Sequence, residues 1–141
     1  MSVVRVDTKE LDRIAARLNT NRKAIGRRIA FEIEKEAKQR ISENHSVITG
    51  AMMNSNYTVT QDFDGYAAAS GAAKSLNPKA ETAPHPQPTG NIVANVGPCV
   101  DYAEYVETGT SRMGAQPYLT PAVEKVAQKY NDGSAWKELV E

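Results

Sequence analysis

The stretch at residues 25–41, IGRRIAFEIEKEAKQRI, decides the fold that the sequence predicts. Apolar side chains recur at every fourth position, at Ile25, Ile29, Ile33, Ala37 and Ile41. Because an α-helix turns once in about 3.6 residues, each step of four moves the stripe about 40° around the axis. A stripe that winds must meet more than one packing surface. We therefore expect a long helix, ending near residues 43–45, that contacts several other elements.

The residues before this helix predict a short apolar segment that is followed by a first helix. Residues 1–6 are a short apolar stretch, read as a strand or an arm. Asp7 and Glu10 have the spacing of a capping box, so we expect a helix to begin at Asp7. Its apolar stripe consists of Leu11, Ile14 and Leu18. Residues 19–21, NTN, are poor helix formers and predict a break or bend, although Ile25 continues the helical phase of the stripe.

The middle of the chain predicts a small antiparallel sheet. In residues 56–60 polar and apolar side chains alternate, and several of these residues favour β structure. This indicates a strand with Tyr57 and Val59 facing inward. Residues 62–65, DFDG, have turn chemistry, and residues 66–69 are expected to return as a second strand. A further strand is predicted at residues 91–97. Its inner face is expected to hold Ile92, Ala94 and Val96.

Residues 70–90 have a different composition, with prolines at positions 78, 84, 86 and 88. Proline removes the backbone donors that a strand ladder needs, so this segment predicts a flexible loop. Two interpretations stay open. The loop becomes ordered on assembly, or it is a flexible insertion.

The C-terminal third predicts a contact module. Residues 102–107 form a short amphipathic turn, and residues 108–116 are a connector with turn chemistry. A helix should follow, with Thr120 as N-cap and Pro121 at its first position, and end before residues 131–133. Val123, Val126 and Ala127 are expected on its inner face. The short tail at residues 132–141 is interpreted as docked, mobile or an anchor for a partner.

The length of 141 residues predicts one domain, and the order of the predicted elements indicates an α+β fold with a long N-terminal helix, a small antiparallel sheet and a C-terminal helix packed on one face. The 17 basic and 17 acidic residues balance. Residues 1–45, however, carry 11 Lys or Arg and 7 Asp or Glu, a net charge of +4, so residues 46–141 carry −4. Such a chain can associate head to tail, or its two halves can neutralise each other within one subunit.

No constellation in the sequence indicates catalysis, a metal or a cofactor. The single cysteine, Cys99, and the two histidines, His45 and His85, have no zinc-ligand spacing, and a buried structural role is expected for Cys99. The sequence contains neither a glycine-rich phosphate loop nor a serine nucleophile elbow. It also lacks an apolar run of the ~20 residues that cross a bilayer, and a signal-peptide core. We expect a non-enzymatic protein without membrane contact, in a reducing compartment.

The run YAEYVETGTSRMGAQPYLTPAVE, at residues 102–124, resembles a signature of bacteriophage morphogenesis proteins. This is the neck and tail-completion family of long-tailed phages, including the lambda Z-type proteins. An upstream element at residues 49–55 is similar, with Met53 where the family usually has arginine. The matching positions in the C-terminal run are Tyr102, Ala103, Val106, Glu107, Gly109, Thr110, Ala115, Gln116, Pro117, Tyr118, Leu119, Pro121, Ala122 and Glu124.

The resemblance implies a virion structural protein of the neck or tail, made in the host cytoplasm, that completes the tail or joins it to the head. Its partners would be further copies of itself in a ring and the neighbouring neck, connector or tail-tube proteins, with DNA only incidentally near. Pro117 and Tyr118 are expected to place the C-terminal helix, and Glu107 and Arg112 to make polar contacts. The full set of predicted interface residues is Phe31, Tyr102, Tyr105, Glu107, Arg112, Pro117 and Tyr118.

Two points stay open at the N-terminal helix. Phe31 is interpreted either as a local cover over the stems of Arg27 and Arg28 or as a contact to a neighbouring subunit. The basic cluster at residues 22–28 supports an alternative function, a small nucleic-acid-binding protein, although no aromatic or glycine interleaving accompanies it. A steep salt dependence of binding to duplex DNA would favour that alternative.

Overall fold

The computed structural model describes residues 3–9, 11–43, 51–79, 81–82, 87–89, 92–100, 103, 111, 114 and 117–130. Within these ranges the elements are β1 (Val4–Asp7), α1 (Leu11–Arg17), α2 (Arg22–Glu43), α3 (Ala51–Asn54), β2 (Asn56–Thr60), α4 (Tyr66–Leu76), β3 (Ile92–Pro98) and α5 (Leu119–Lys129). The predicted α+β class is confirmed, with a long N-terminal helix, a small antiparallel sheet and a C-terminal helix.

The long helix α2 lies at the centre of the described structure. It packs against the sheet, against α1 and along α5. Its fully or almost fully buried apolar residues are Ile25, Ile29, Ala30, Ile33, Ala37 and Ile41. The expectation that a winding stripe meets several surfaces is therefore confirmed.

The sheet has the strand order β1-β3-β2, and both pairings are antiparallel. Val4 and Thr58 both pair with Val96, so these three side chains share one face. The Thr58 hydroxyl donates to Glu34 Oε1 of α2 at 2.7 Å, which identifies this face as the one covered by α2. Ala94 and Val96 are buried on this face, as predicted.

Two features of the sheet differ from simple alternation. The register shifts between Val6 and Asp7, so that Val93 is an extra residue on β3, and its side chain reaches Gly26 of α2. Tyr57 and Val59 are buried, as predicted, but strand alternation places them on the face opposite Thr58. There the Tyr57 ring packs edge-on against Tyr66 of α4, with centroids 5.3 Å apart.

The first helix begins later than predicted. Asp7 is the last residue of β1 and pairs with Ile92, and its Oδ1 accepts a hydrogen bond from the Lys9 backbone N–H at 3.0 Å. Strand pairing outcompetes the capping-box pattern, so the helix starts at Leu11.

The break that was predicted at residues 19–21, between the first two helices, is confirmed. Asn19 has a φ of 53°, and Asn21 Oδ1 caps α2 by accepting from the Ala24 N–H at 2.8 Å.

The second predicted strand is wrong, because residues 66–69 begin helix α4. The turn before it is confirmed by the bond from Thr60 N–H to the Phe63 carbonyl, at 2.7 Å. The sequence of α4, YAAASGAAKSL, is rich in alanine, the strongest helix former. The predicted 70–90 loop therefore has a helical start, to Leu76, and two of its prolines, at 84 and 86, lie outside the described residues.

The C-terminal helix α5 begins at Leu119, with Tyr118 rather than Thr120 at the N-cap. Pro121 is consequently one of the first-turn residues, where a missing N–H is tolerated. Val126 is buried, and Val123 and Ala127 pack against the core, which confirms the predicted inner face. The predicted stop at residues 131–133 and the tail lie outside the described residues.

Gly26 sets how closely α2 approaches its neighbours. A Cβ at this position would lie 2.8 Å from Val93 Cγ1 and 3.1 Å from Leu11 Cδ1, whereas a Cβ at Gly71 of α4 would meet nothing within 4 Å. We predict that Gly26→Ala lowers the free energy of unfolding by about 1 kcal/mol, because overpacking outweighs the gain in helix propensity.

The matched control, Gly71→Ala, should raise the free energy of unfolding by about 0.5–1 kcal/mol, since only the propensity term acts there. Urea denaturation of both variants and the wild type measures this difference. A Gly26→Ala variant as stable as Gly71→Ala would contradict the close approach of α2 to β3.

Candidate protein-interaction surface

A half-exposed aromatic–cation patch lies where α2 passes the turn after β2. The rings of Phe31 and Phe63 meet edge to face, with centroids 5.1 Å apart and planes at 64°. The Arg27 guanidinium carbon lies 5.6 Å from the Phe31 centroid and 5.7 Å from that of Phe63. Phe63 is 38% exposed. We call Arg27, Phe31 and Phe63 the aromatic patch.

Local structure fixes each member of this patch. Arg27 and Phe31 are one helical turn apart on α2, so their side chains lie on the same face. Phe63 is held by its turn, because Thr60 Oγ1 accepts hydrogen bonds from the backbone N–H groups of Asp62 and Phe63 at 3.2 and 3.0 Å. Gly65 permits this arrangement, since a Cβ there would lie 3.1 Å from both the Phe63 ring and the Thr58 carbonyl.

The basic cluster next to the patch has partners within the chain. Arg22 pairs with Asp12 at 3.5 Å, Lys23 with Asp62 at 3.5 Å, and Arg28 with Glu32 at 3.9 Å. A polar cleft of about 180 Å³ adjoins it. The cleft is lined by residues that include Arg22, Lys23, Arg27, Thr60, Asp62 and Ile92. The cations are exposed, so these pairs are weak, but they orient the side chains along the surface.

The predicted interface residues divide into four groups. Phe31 belongs to the aromatic patch, where it is covered in part by Arg27 and Phe63. Tyr118 is only 1% exposed, and its carbonyl accepts from the Ala122 N–H at 3.3 Å, so its side chain anchors α5 in the core. Pro117 is exposed. The others, Tyr102, Tyr105, Glu107 and Arg112, lie outside the described residues.

Phe63 is the member of the patch that sequence reasoning missed as a contact residue. The pattern of the DFDG stretch predicts only a turn. The available signal was an aromatic residue placed between two aspartates in that turn, since such a ring needs an apolar neighbour to cover it.

A second group of polar side chains lies in the interior. Cys99 is fully buried, and burial raises the pKa of its thiol above the ordinary value of 9.0, while a hydrogen bond with Ser55 acts in the opposite direction. Burial also raises the pKa of Tyr57, and the neighbouring Tyr66 and Cys99 add to that shift. A thiol that resists ionisation is a poor nucleophile, and the full burial of Cys99 agrees with the core position expected from the sequence.

Across the residues that the structure describes, no group of three or more His, Cys, Asp or Glu is placed to hold a metal ion. In the same ranges, no helix has the length and apolar character needed to cross a membrane.

Comparison with known proteins found no match to this chain among family models, curated proteins or solved structures.

The raised pKa of Cys99 predicts an alkaline loss of stability. Above pH 9.0 the unfolded chain releases the thiol proton while the native state retains it, so the free energy of unfolding falls as pH rises. The slope contributed by one such group is at most about 1.4 kcal/mol per pH unit. We predict that Cys99→Ala has a shallower decline between pH 9 and 10.

Urea denaturation at several pH values measures these slopes. The remaining decline in Cys99→Ala should begin at higher pH, where the unfolded-state tyrosines ionise and the pKa of Tyr57 in the native state is still higher. Identical slopes for the two proteins would show that the thiol ionises equally in the folded and unfolded states.

Proposed function

We propose that this chain is a structural protein of a bacteriophage virion that acts by assembling into a ring, and not by catalysis. The ring would complete the tail or join it to the head. The observation that carries the assembly role is the aromatic patch of Arg27, Phe31 and Phe63, which presents two ordered rings and a stacked guanidinium at the surface.

The chemistry of the patch is that of a protein contact. Aromatic residues and arginine are enriched in interface cores and among the residues whose truncation weakens binding most. Phe31 and Phe63 already pack together in the single chain, so little side-chain freedom remains to be lost on association. Arg27 has no carboxylate partner within the described ranges, which leaves its charge available to an acidic surface.

A second copy of the chain offers such a surface. The patch lies mainly on α2, within the half that carries a net charge of +4, and residues 46–141 carry −4. Contact between unlike halves of successive copies is heterologous, and a heterologous contact closes into a ring when its rotation permits. Charge complementarity favours this pairing and opposes contact between two basic halves.

The virion setting is supported by the resemblance of residues 102–124 to the neck and tail-completion signature. Under this proposal the ring contacts the neighbouring neck, connector or tail-tube proteins, and DNA passes near it without being recognised. The protein is then part of the virion neck or tail after assembly in the host cytoplasm.

A nucleic-acid-binding function is less well supported by the geometry. Three of the cations in the basic cluster, Arg22, Lys23 and Arg28, have carboxylate partners in the same chain. Phosphate contacts would have to compete with these carboxylates, and Asp12 and Asp62 would repel the DNA backbone.

The proposal predicts that Phe63→Ser impairs self-association. Removing an exposed ring takes away half of the aromatic pair, while the buried core is left in place. Light scattering over a range of protein concentrations should show growth of the wild-type particle mass and a species of lower mass for Phe63→Ser. In a phage carrying this gene, the same variant should reduce the yield of tailed particles.

Leu76→Ser is the matched control, because Leu76 is 44% exposed and lies at the end of α4 rather than in the patch. It should associate and assemble like the wild type. Wild-type association and particle yield in Phe63→Ser would contradict the assignment of the aromatic patch as the contact.

A further inference from the structure

A groove lies between the end of α1 and the end of α5. None of its lining residues belongs to the aromatic patch. Its volume is about 200 Å³. It is lined by Ile14, Arg17, Leu18, Arg28, Lys129 and Tyr130. We call it the α1–α5 groove. It combines an apolar floor with three cations, so it suits a segment that carries both apolar and acidic side chains.

Leu18 is the exposed part of that apolar floor. The sequence places Leu18 on the same helical stripe as Leu11 and Ile14, and those two residues are 0% and 2% exposed. Leu18 is 50% exposed, the largest value among the exposed large hydrophobic residues of the described structure. The apolar stripe of α1 is therefore uncovered at its last member.

The charges around the groove are unbalanced. Arg28 and Lys129 both contact Glu32 Oε1, at 3.9 and 2.7 Å. Arg17 has no carboxylate partner among the described residues. Three cations against one carboxylate leave a net charge of +2 on this group.

Two buried polar side chains lie beside the groove. The Tyr130 hydroxyl and Glu32 Oε2 are buried, and burial together with the nearby Glu32 carboxylate raises the pKa of Tyr130. Tyr130 is only 8% exposed and lines the groove. The hydroxyl and the carboxylate are close enough to interact with each other, so the wall of the groove at Tyr130 is held by Glu32 of α2.

We propose that the C-terminal segment at residues 131–141 of the same chain occupies the α1–α5 groove. Its sequence, NDGSAWKELVE, follows directly on Tyr130, which is itself a wall of the groove. Trp136 is six residues further on, within a reach of ~20 Å for an extended chain. Asn131, Asp132 and Gly133 are residues that favour a reversing turn.

The composition of the segment complements the groove. Trp136, Leu139 and Val140 have the i, i+3, i+4 spacing of one apolar face, which suits Ile14 and Leu18. Asp132, Glu138 and Glu141 against Lys137 give the segment a net charge of −2, opposite to the +2 of the groove.

The segment of the same chain is favoured over that of another copy by its tether. A short linker holds a segment at an effective concentration of about millimolar, far above the protein concentrations of solution experiments. Docking of this kind does not require ring assembly, so it can be tested in the monomer and stands independently of the proposed function.

Trp136 is the only tryptophan in the chain, so intrinsic fluorescence reports on this segment alone. In the wild type we expect an emission maximum blue-shifted from that of tryptophan in water, and acrylamide quenching slowed several-fold. Both properties should be unchanged on dilution. Leu18→Glu should shift the emission to that of tryptophan in water, while the far-ultraviolet circular dichroism stays that of the folded protein.

Leu76→Glu is the matched control, since it introduces the same charge at a similarly exposed leucine outside the groove, and it should keep the blue-shifted emission. Arg17→Glu should increase acrylamide quenching several-fold relative to the wild type. A wild-type tryptophan that emits as in water, or an emission that Leu18→Glu leaves unchanged, would overturn the proposal. A blue shift that disappears on dilution would also overturn it, because the occupant would then be the segment of a second copy.

Discussion

Burial of the winding apolar stripe of α2 is the interaction on which the rest of the structure depends. Ile25, Ile29, Ile33 and Ile41 are each 0–2% exposed. Because the stripe turns around the axis, it can meet several elements, and α1, the sheet and α5 all pack against this one helix. Full burial of one isoleucine side chain contributes about 1.5–3 kcal/mol, so the stripe supplies a large part of the core.

Both proposed contact surfaces follow from what α2 leaves uncovered. Its apolar stripe faces inward, so Arg27 and Phe31 are left on an outer face, where Phe63 covers Phe31 only in part. On another side, Arg28 and Glu32 reach toward Lys129 of α5. Hydrogen bonding to Glu32 raises the pKa of Lys129, so this ammonium stays charged beside the groove. Side chains of one helix thus contribute to both of the proposed contact surfaces.

The elements that depend on hydrophobic periodicity could be predicted from the sequence. The element boundaries that depend on pairing between distant residues could not. The stripe of α2, the break at Asn19, strand β2 and the alternation at Ala94 and Val96 all follow from local pattern. The capping-box pattern at Asp7 failed because Asp7 pairs with Ile92, a residue 85 positions away along the chain. The segment at residues 66–69 is too short for its hydrophobic period to distinguish a strand from a helix. Its high alanine content favours the helix that forms there.

The candidate surface was predictable to a similar extent. Phe31 could be identified because it lies off the apolar stripe, but its partner Phe63 could not, since no local pattern shows which turn meets α2. Tyr118 belongs to the motif at residues 102–124, and that resemblance carries no information on burial. Its position at the N-cap of α5, 1% exposed, makes it a core residue that orients the helix.

Native-state hydrogen exchange along α2 tests the central role of this helix most directly. If α2 holds the sheet, α1 and α5 together, the amides around Ile29, Ile33 and Ala37 should exchange only through global unfolding. Their opening free energy should equal the free energy of unfolding, and amides in α4 should open at a lower value. Exchange of the α2 amides through a local opening, while β3 stays protected, would contradict the account.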